Sequence, residues 1–321
     1  MLALVEITPW HWAGFLGCVL VFLALDLGVF HRRSHVVKFK EALTWSALWF
    51  TLSMAFAGLL TVLRGREEAV EFVTGYIIEL SLSMDNVFVI ALIFSFFGVP
   101  AQFQHRVLFW GILGALIMRG ALIGIGVELI THWQWLLYVM GAFVLFSGVK
   151  MLFADEEGVH PDKNPILRLA KKIFPVTNEM HGQQFVVKVD GRRMFTPLAL
   201  VLVVVETTDL VFALDSIPAI FAITTKPFVI FTSNVFAILG LRSLYFVLAG
   251  AIDYFRYLKA GLSIVLAFIG AKMLVQPHGE PHRWFQVEIP TGISLLIVGG
   301  IILLSILISV AAKRRERKTA A

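Results

Sequence analysis

The chain has 321 residues, of which 58% are hydrophobic and only 15% are charged, and its formal net charge is +5. Soluble domains carry about 25% charged residues, so this composition excludes a soluble globular protein and predicts an integral membrane protein in the lipid bilayer. The one cysteine, Cys18, excludes an intramolecular disulfide and a cysteine-based metal cluster. The sequence has no Walker-type phosphate loop, so no ATP motor is expected. We expect a protein that is not an enzyme, needs no cofactor and binds no nucleic acid.

Windows of about twenty apolar residues predict nine membrane-spanning helices, packed as an all-α polytopic bundle. The apolar run near the N-terminus is too long for a signal-peptide core, so it is expected to stay as the first span. The predicted spans are residues 9–30, 42–63, 72–97, 106–130, 133–153, 197–223, 228–251, 257–276 and 287–311.

The distribution of basic residues predicts the orientation of these spans. With the N-terminus outside, the cytoplasmic segments hold 20 of the 27 Lys and Arg residues, and the outer segments hold 5. Leaving out the eight in the long loop between spans five and six still gives 12 against 5. Lys and Arg favour cytoplasmic loops, so the N-terminus is predicted outside and the C-terminus in the cytoplasm.

The spans divide the chain into five predicted segments. They are two N-terminal spans (1–71), a first three-helix block (72–153), a cytoplasmic loop (154–196), a second three-helix block (197–276), and a last span with a basic tail (277–321).

The cytoplasmic loop carries local structural signals of its own. Residues 165–174 alternate apolar and basic side chains at helical spacing, which predicts an amphipathic helix that ends at Pro175. Asp190-Gly191 between two short apolar–polar runs predicts a β-hairpin. We interpret the loop as a solvated connection, with partner docking as the alternative.

The two three-helix blocks repeat each other in sequence. Three pairs of markers lie at offsets of 124, 123 and 122: Asp85-Asn-Val-Phe with Asp209-Leu-Val-Phe, Arg119 with Arg242, and Gly148-Val-Lys-Met-Leu with Gly270-Ala-Lys-Met-Leu. Each block has an odd number of spans, so the copies enter the membrane from opposite sides, as in the inverted repeats of secondary transporters. We therefore predict that Asp85 and Asp209 face each other near the membrane midplane.

Acidic residues lie inside the first span of each block. A charge at the centre of a membrane helix costs about 2.5–3.5 kcal/mol on insertion scales, so such residues are candidates for function. The candidate metal-binding residues are Glu79, Asp85, Asn86, Glu206, Asp209 and Asp215.

Helical geometry predicts which of these side chains share a face in the third span. At about 100° per residue, Glu79, Ser83 and Asn86 fall within about 60° of one another. Asp85 points about 120° away from Glu79. Ser83 is therefore a supporting candidate for the same site.

The sixth span is predicted to be irregular. Glu206 and Asp209 share a face, whereas Asp215 would lie opposite Glu206 on an unbroken helix. Pro218 lacks a backbone donor, so we expect it to kink or break the span just after Asp215. Such a break would free a backbone carbonyl and turn Asp215 and the supporting candidate Ser216 toward the site.

The available donors are carboxylates, an Asn amide, hydroxyl groups and backbone carbonyls, which suit Mg²⁺, Ca²⁺ or Mn²⁺. The alternative for any single acid is a buried carboxylate paired with Arg119 or Arg242, which we interpret as structural partners. Asp26 in the first span is either a structural polar contact or part of the pathway. Two histidine pairs with metal-ligand spacing lie in polar loops, where a solvated role is expected: His31 with His35, and His278 with His282.

These motifs resemble those of the TerC family of integral membrane proteins, in particular its Alx-like branch. The resemblance covers most of residues 20–275. Its main stretches are Glu79-Leu-Ser-Leu-Ser-Met-Asp-Asn-Val-Phe, Arg106-Val-Leu-Phe-Trp-Gly, Gly141-Ala-Phe to Met151, Glu206-Thr-Thr-Asp to Ala222, and Asn234-Val-Phe to Arg242. It implies a nine-span fold related to the lysine-exporter superfamily, located in the bacterial inner membrane. It also implies manganese efflux, an older tellurium-resistance label, and a role for the six candidate residues as the acidic motifs of the family.

The expected function is export of a divalent cation by a secondary transporter, with Mn²⁺ implied by the resemblance and protons as the expected counter-ion. Carboxylates that share one site can hold a metal ion and protons in turn. Two other interpretations stay open. One is a membrane scaffold that helps partner proteins assemble or acquire metal, and the other is an exporter of a small organic cation or amino acid.

Overall fold

The computed structural model describes residues 6–25, 39–153, 167, 169, 172, 175–177, 179–189, 191–249, 257–277 and 286–319. Asp26, both histidine pairs and most of the predicted amphipathic helix lie outside the described residues.

The described residues form nine helices and one two-stranded antiparallel sheet. In chain order these are α1 (Pro9–Leu25), α2 (Phe39–Arg64), α3 (Arg66–Phe96), α4 (Ala101–His132), α5 (Leu136–Phe153), β1 (Val186–Val189), β2 (Arg192–Phe195), α6 (Pro197–Phe221), α7 (Pro227–Ala249), α8 (Leu258–Val275) and α9 (Thr291–Thr319). Eight of these helices are long and apolar enough to cross a membrane, and α1 is a shorter apolar helix of 17 residues. The prediction of a polytopic helical membrane protein is confirmed.

Two tight connections place α2, α3 and α4 side by side. A single residue, Gly65, separates α2 from α3, and its φ of 94° is one that a side chain would disfavour. At the other end of α3, Gly98 has a φ of 60°. The amide of Val99 donates to the carbonyl of Phe94 at 2.9 Å, and that of Gly98 donates to Ser95 at 3.1 Å. These bonds form a Schellman motif, so α3 ends sharply before α4 begins.

The helices α3, α4, α6 and α7 form the centre of the bundle. In α7, 83% of the residues in the most apolar stretch are buried, against 17% in α2. α2 packs on α3 and α7, and α9 packs on α3 and α8. The first helix covers α7 through aromatic contacts such as Trp12 against Phe228, with ring centroids 5.2 Å apart. The four central helices therefore supply the interior in which polar side chains are shielded from lipid.

The crossing of α5 and α8 shows the symmetry of the two blocks. A Cβ on Gly148 would lie 2.5 Å from the amide nitrogen of Ala267 and 2.9 Å from the carbonyl oxygen of Ser263. A Cβ on Gly270 would meet the amide nitrogen of Leu145 and the carbonyl oxygen of Gly141. Leu145 and Gly141 precede Ala267 and Ser263 by 122 residues. Small residues allow membrane helices to approach closely, and here each helix presents its glycine to the equivalent part of the other.

The correspondence between α3 and α6 differs from the predicted one. A Cβ on Gly75 of α3 would lie 3.0 Å from the Ser233 hydroxyl of α7, and a Cβ on Gly111 of α4 would lie 3.5 Å from Val205 of α6. These contacts are equivalent if α3 maps onto α6 with an offset of 130 and α4 maps onto α7 with an offset of 122. The offset of 130 aligns Glu79 with Asp209, so the predicted match of Asp85 with Asp209 is wrong.

The prediction that Pro218 breaks the sixth span is also wrong. α6 runs without interruption from Pro197 to Phe221, with Pro218 inside its last turn. Pro218 has no N–H group, so the carbonyl of Leu214 does not receive the usual helical hydrogen bond. The helix ends three residues later, so few helical hydrogen bonds depend on this turn. Asp215 therefore keeps the orientation of a regular helix.

The hairpin predicted between the fifth and sixth spans is present. Val186 pairs with Phe195, and Lys188 pairs with Arg193 across β1 and β2. The turn includes Gly191, whose φ of 81° suits glycine. The hairpin leads directly into α6.

Candidate functional site

Arg119, near the middle of α4, is the centre of a buried polar group. Only 2% of its side chain is exposed. The guanidinium forms an ion pair with Glu79 of α3 and a two-bond pair with Asp209 of α6, at 3.1 and 3.3 Å. It also donates to the side-chain oxygen of Asn234 in α7 at 3.0 Å. One arginine therefore joins all four central helices and both copies of the repeat.

The α3 side of this group is the polar face predicted from helical geometry. Glu79, Ser83 and Asn86 are 0%, 0% and 4% exposed. The amide of Asn234 donates to the second oxygen of Glu79 at 3.3 Å. The Ser83 hydroxyl, one turn along, has no hydrogen-bond partner among the described residues. The close approach of α3 to α7 at Gly75 brings this face against α7.

The α6 side of the group combines two acids and a hydroxyl. Ser216 lies seven residues after Asp209, two helical turns along the same face, and accepts a long bond of 3.4 Å from Arg119. Glu206 lies one turn before Asp209, and its carboxylate packs against Gly114 of α4, where a Cβ would overlap it. A side chain at position 114 would therefore displace the Glu206 carboxylate from its present position.

The charges of the group do not balance. Glu79, Asp209 and Glu206 are three carboxylates, and Glu206 interacts electrostatically with Asp209. Arg119 supplies one positive charge, so these four side chains carry a formal charge of −2 when all three acids are ionised; Arg242, which lines a cavity with Asp209, is not counted in this sum. A surplus of this size inside a membrane is costly unless a cation or protons neutralise it.

The other two predicted acids lie away from Arg119. Asp85 is partly buried on a different face of α3, and the opposite charge that acts on it comes from Lys259 at the start of α8. Asp215 accepts a hydrogen bond of 2.9 Å from Ser147 of α5 and is also influenced by Lys150. The structure thus separates the six predicted residues into a central group and two flanking acids.

Arg242 reaches the same region from α7. It lines a small cavity together with Asp209, between apolar side chains of α3, α4 and α6. Within the part of the chain that the structure describes, no three Asp, Glu, His or Cys side chains converge closely enough to hold a metal ion together. In this conformation the arginine, rather than a ready-made ligand set, occupies the space between the carboxylates.

Two polar residues of the site were not among the sequence candidates. Asn234 bridges Glu79 and Arg119, and Ser147 binds Asp215. The signal for Asn234 was available, since a buried amide in an apolar helix must find partners. Ser147 had no comparable signal, because a serine in a membrane helix can bond to its own backbone.

The fold and this group define a polytopic helical membrane protein with buried ion pairs where two related three-helix blocks meet. A family model described as "Integral membrane protein TerC family" matches residues 64–317, and the chain belongs to this family.

Similar proteins cover nearly the whole chain. A protein of Myxococcus xanthus, named an uncharacterized membrane protein, is 48% identical and covers 96% of this chain and 94% of its own. An Escherichia coli K12 protein named "Putative membrane-bound redox modulator Alx" is 43% identical, over 97% of each chain. A membrane protein of Rickettsia felis is 39% identical, over 94% of this chain and 98% of its own. No solved structure matches the chain.

Proposed function

We propose that the protein is a secondary transporter that exports a divalent cation, Mn²⁺, across the bacterial inner membrane in exchange for protons. The observation that carries the proposal is the pairing of Arg119 with buried Glu79 and partly buried Asp209, with Glu206 beside Asp209. Secondary transporters place their substrate site near the midplane, where inverted repeats meet, and a polar group that joins both three-helix blocks supports a site of this kind.

The charge of the group supports a divalent substrate. The formal charge of −2 on Glu79, Asp209, Glu206 and Arg119 would be neutralised by one divalent cation or by two protons, so the two can alternate at the same carboxylates. Carboxylate, amide and hydroxyl oxygens suit a hard cation such as Mn²⁺. The choice of Mn²⁺ among hard cations rests on the resemblance to the TerC family.

Arg119 gives the exchange a physical mechanism. Its guanidinium lies where a cation bridging Glu79 and Asp209 would lie, and the two positive charges cannot share that space. Binding of the metal therefore requires Arg119 to withdraw, which couples substrate binding to movement of α4 relative to α3 and α6. The cavity that Asp209 and Arg242 line offers space on one side of the group.

The remaining candidates fit positions along the route. Asp85 and Asp215 lie in the same two helices as the central acids, each on another face. We assign them, with Asn86, to steps before or after the central group. The excess of Lys and Arg in the loops predicted to be cytoplasmic favours an N-terminus outside and a C-terminus in the cytoplasm, and export is proposed in that orientation.

The redox name of the Escherichia coli relative does not change this proposal. Cys18 is the only cysteine in the sequence, so one chain cannot form a dithiol–disulfide pair.

The test is uptake of ⁵⁴Mn²⁺ into inverted membrane vesicles, with an internal dye that reports proton movement. Glu79→Gln and Asp209→Asn should abolish uptake without preventing insertion, because a neutral amide is easier to place in a bilayer than a carboxylate. Glu128→Gln is the matched control, since that side chain is 75% exposed at the end of α4. Normal transport by well-inserted Glu79 and Asp209 variants would refute the proposal.

A further inference from the structure

The β-hairpin before α6 presents basic side chains with no acidic partner among the described residues. Lys188 of β1 lies directly opposite Arg193 of β2, and both side chains are exposed, as is the neighbouring Arg192. Like charges that face each other across two strands destabilise a sheet. A pair of this kind is stabilised when an anion lies beside it.

The hairpin cannot relax away from this arrangement, because it is fastened to the helix bundle. The hydroxyl of Thr196 donates to the carbonyl of Gln184 at 2.7 Å, and its amide donates to Phe185 at 3.0 Å. Arg106 of α4 donates to Gln183 at 3.2 Å and lies over the Phe185 ring at 5.5 Å. The basic residues are therefore held in a fixed position relative to α4 and α6.

The hairpin is also close to the membrane surface. Arg193 precedes Pro197, the first residue of a membrane-spanning helix, by four residues. At about 3.3 Å per residue, the two lie at most about 13 Å apart. Electrostatic interactions act over about 8–10 Å at physiological salt, and headgroups extend several ångströms beyond the hydrocarbon core. The basic residues are thus within reach of lipid headgroups.

We propose that the basic hairpin face, formed by Lys188 and Arg193, binds the anionic phospholipid headgroups of the adjoining leaflet. Charge complementarity and the short distance to the membrane favour lipid over an acidic protein. Val186, which is 45% exposed on the same face as Lys188, would be covered in the same contact. This proposal does not depend on the transported substrate.

The experiment reports on the hairpin directly. A Cys18→Ser, Val186→Cys protein carries one environment-sensitive fluorophore on the proposed face. It is placed in nanodiscs of phosphatidylcholine alone, or of phosphatidylcholine and phosphatidylglycerol in equal amounts, and quenched with neutral acrylamide. Phosphatidylglycerol should protect the fluorophore, and raising the salt from about 0.1 M to about 1 M should remove the protection, because the screening length falls from about 10 to about 3 Å.

Lys188→Gln with Arg193→Gln should remove most of the protection. Each basic residue near an anionic surface adds electrostatic binding free energy. Losing two of them should weaken docking about 30-fold, or about 2 kcal/mol. A fluorophore at Gln134→Cys, in the exposed turn between α4 and α5, is the matched control and should not respond to these substitutions. Equal quenching in the two lipids, or protection that survives the double substitution, would overturn the proposal. A partner other than lipid would give the first of these results.

Discussion

Replacing Arg119 with methionine tests whether the arginine stands in for a cation. Methionine keeps the length and apolar stem of the side chain but removes the guanidinium. Glu79 and Asp209 would then be buried without their shared counter-charge, with Asn234 as the remaining donor to Glu79. We expect Arg119→Met to be strongly destabilised without metal, and to be rescued by Mn²⁺ or by acid more than the parent protein is.

The structure sets the size of the effect. Arg119 makes three bonds to carboxylates and one of 3.0 Å to Asn234, and bonds to charged groups contribute about 1.5–3 kcal/mol each. Most of this gain offsets the cost of burying the guanidinium, so breaking such a pair costs a net 3–5 kcal/mol or so. Metal at about 100 times its dissociation constant would restore about 2.7 kcal/mol.

Thermal unfolding of the purified protein in detergent, with and without Mn²⁺, measures both quantities. A second variant, Arg119→Met with Glu79→Gln, should regain part of the lost stability and lose most of the Mn²⁺ response. If Arg119→Met melts like the parent, the ion pair is not structural. If it melts lower but Mn²⁺ stabilises it no more than the parent, the arginine does not occupy the position of a cation.

Three further substitutions test other parts of the structure by the same unfolding assay. Gly148→Ala should cost about 1–3 kcal/mol, because the new methyl group would overlap the backbone of α8. Thr224→Val should cost about 1–3 kcal/mol, because it removes a 2.9 Å bond to the buried carboxylate of Glu71. Ser147→Ala should cost about 1 kcal/mol and slow transport less than Asp215→Asn, because the carboxylate that Ser147 orients remains.

Matched controls separate these effects from general sensitivity to substitution. Gly124→Ala introduces a methyl group with no atom within 4 Å, so it should leave stability unchanged or slightly raised. Thr131→Val removes an exposed hydroxyl that bonds only to its own helix, so it should change stability by less than about 0.5 kcal/mol. Equal losses for Gly148→Ala and Gly124→Ala would contradict the close packing of α5 on α8.

The helices were predictable from sequence because hydropathy is a local property averaged over many residues. The predicted helix bounds are wrong where the ends of the helices are polar. The third span was predicted to begin at residue 72, but α3 begins at Arg66, since its first turns bury Glu68 and Glu71 beside Arg64 and Lys226. The last helix likewise continues to Thr319 through the basic tail, where hydropathy gives no signal.

Sequence reasoning identified several residues of the candidate site, but it did not show which residues pair with one another. The acids and the shared face of Glu79, Ser83 and Asn86 followed from residue type and helical spacing. The choice of Arg119 over Arg242 as the partner of Glu79 did not, because it depends on how α3, α4 and α6 approach one another. The short Asp-x-Val-Phe marker also aligned α3 with α6 in the wrong register. The sequence did contain the correct alignment, because the six-residue spacing from Glu79 to Asp85 recurs from Asp209 to Asp215.

The spacing of the central ion pairs along the chain has a consequence for how the protein is made. Arg119 lies 40 residues after Glu79 and 90 residues before Asp209. Since chains fold from the N-terminus during synthesis, α3 and α4 are complete before α6 leaves the ribosome. Glu79 can therefore enter the bilayer as half of a neutral helical pair, whereas Asp209 arrives later and completes a partly formed group. A nascent chain arrested before α6 should already hold Glu79 within the membrane, and Arg119→Met should impair that early insertion step.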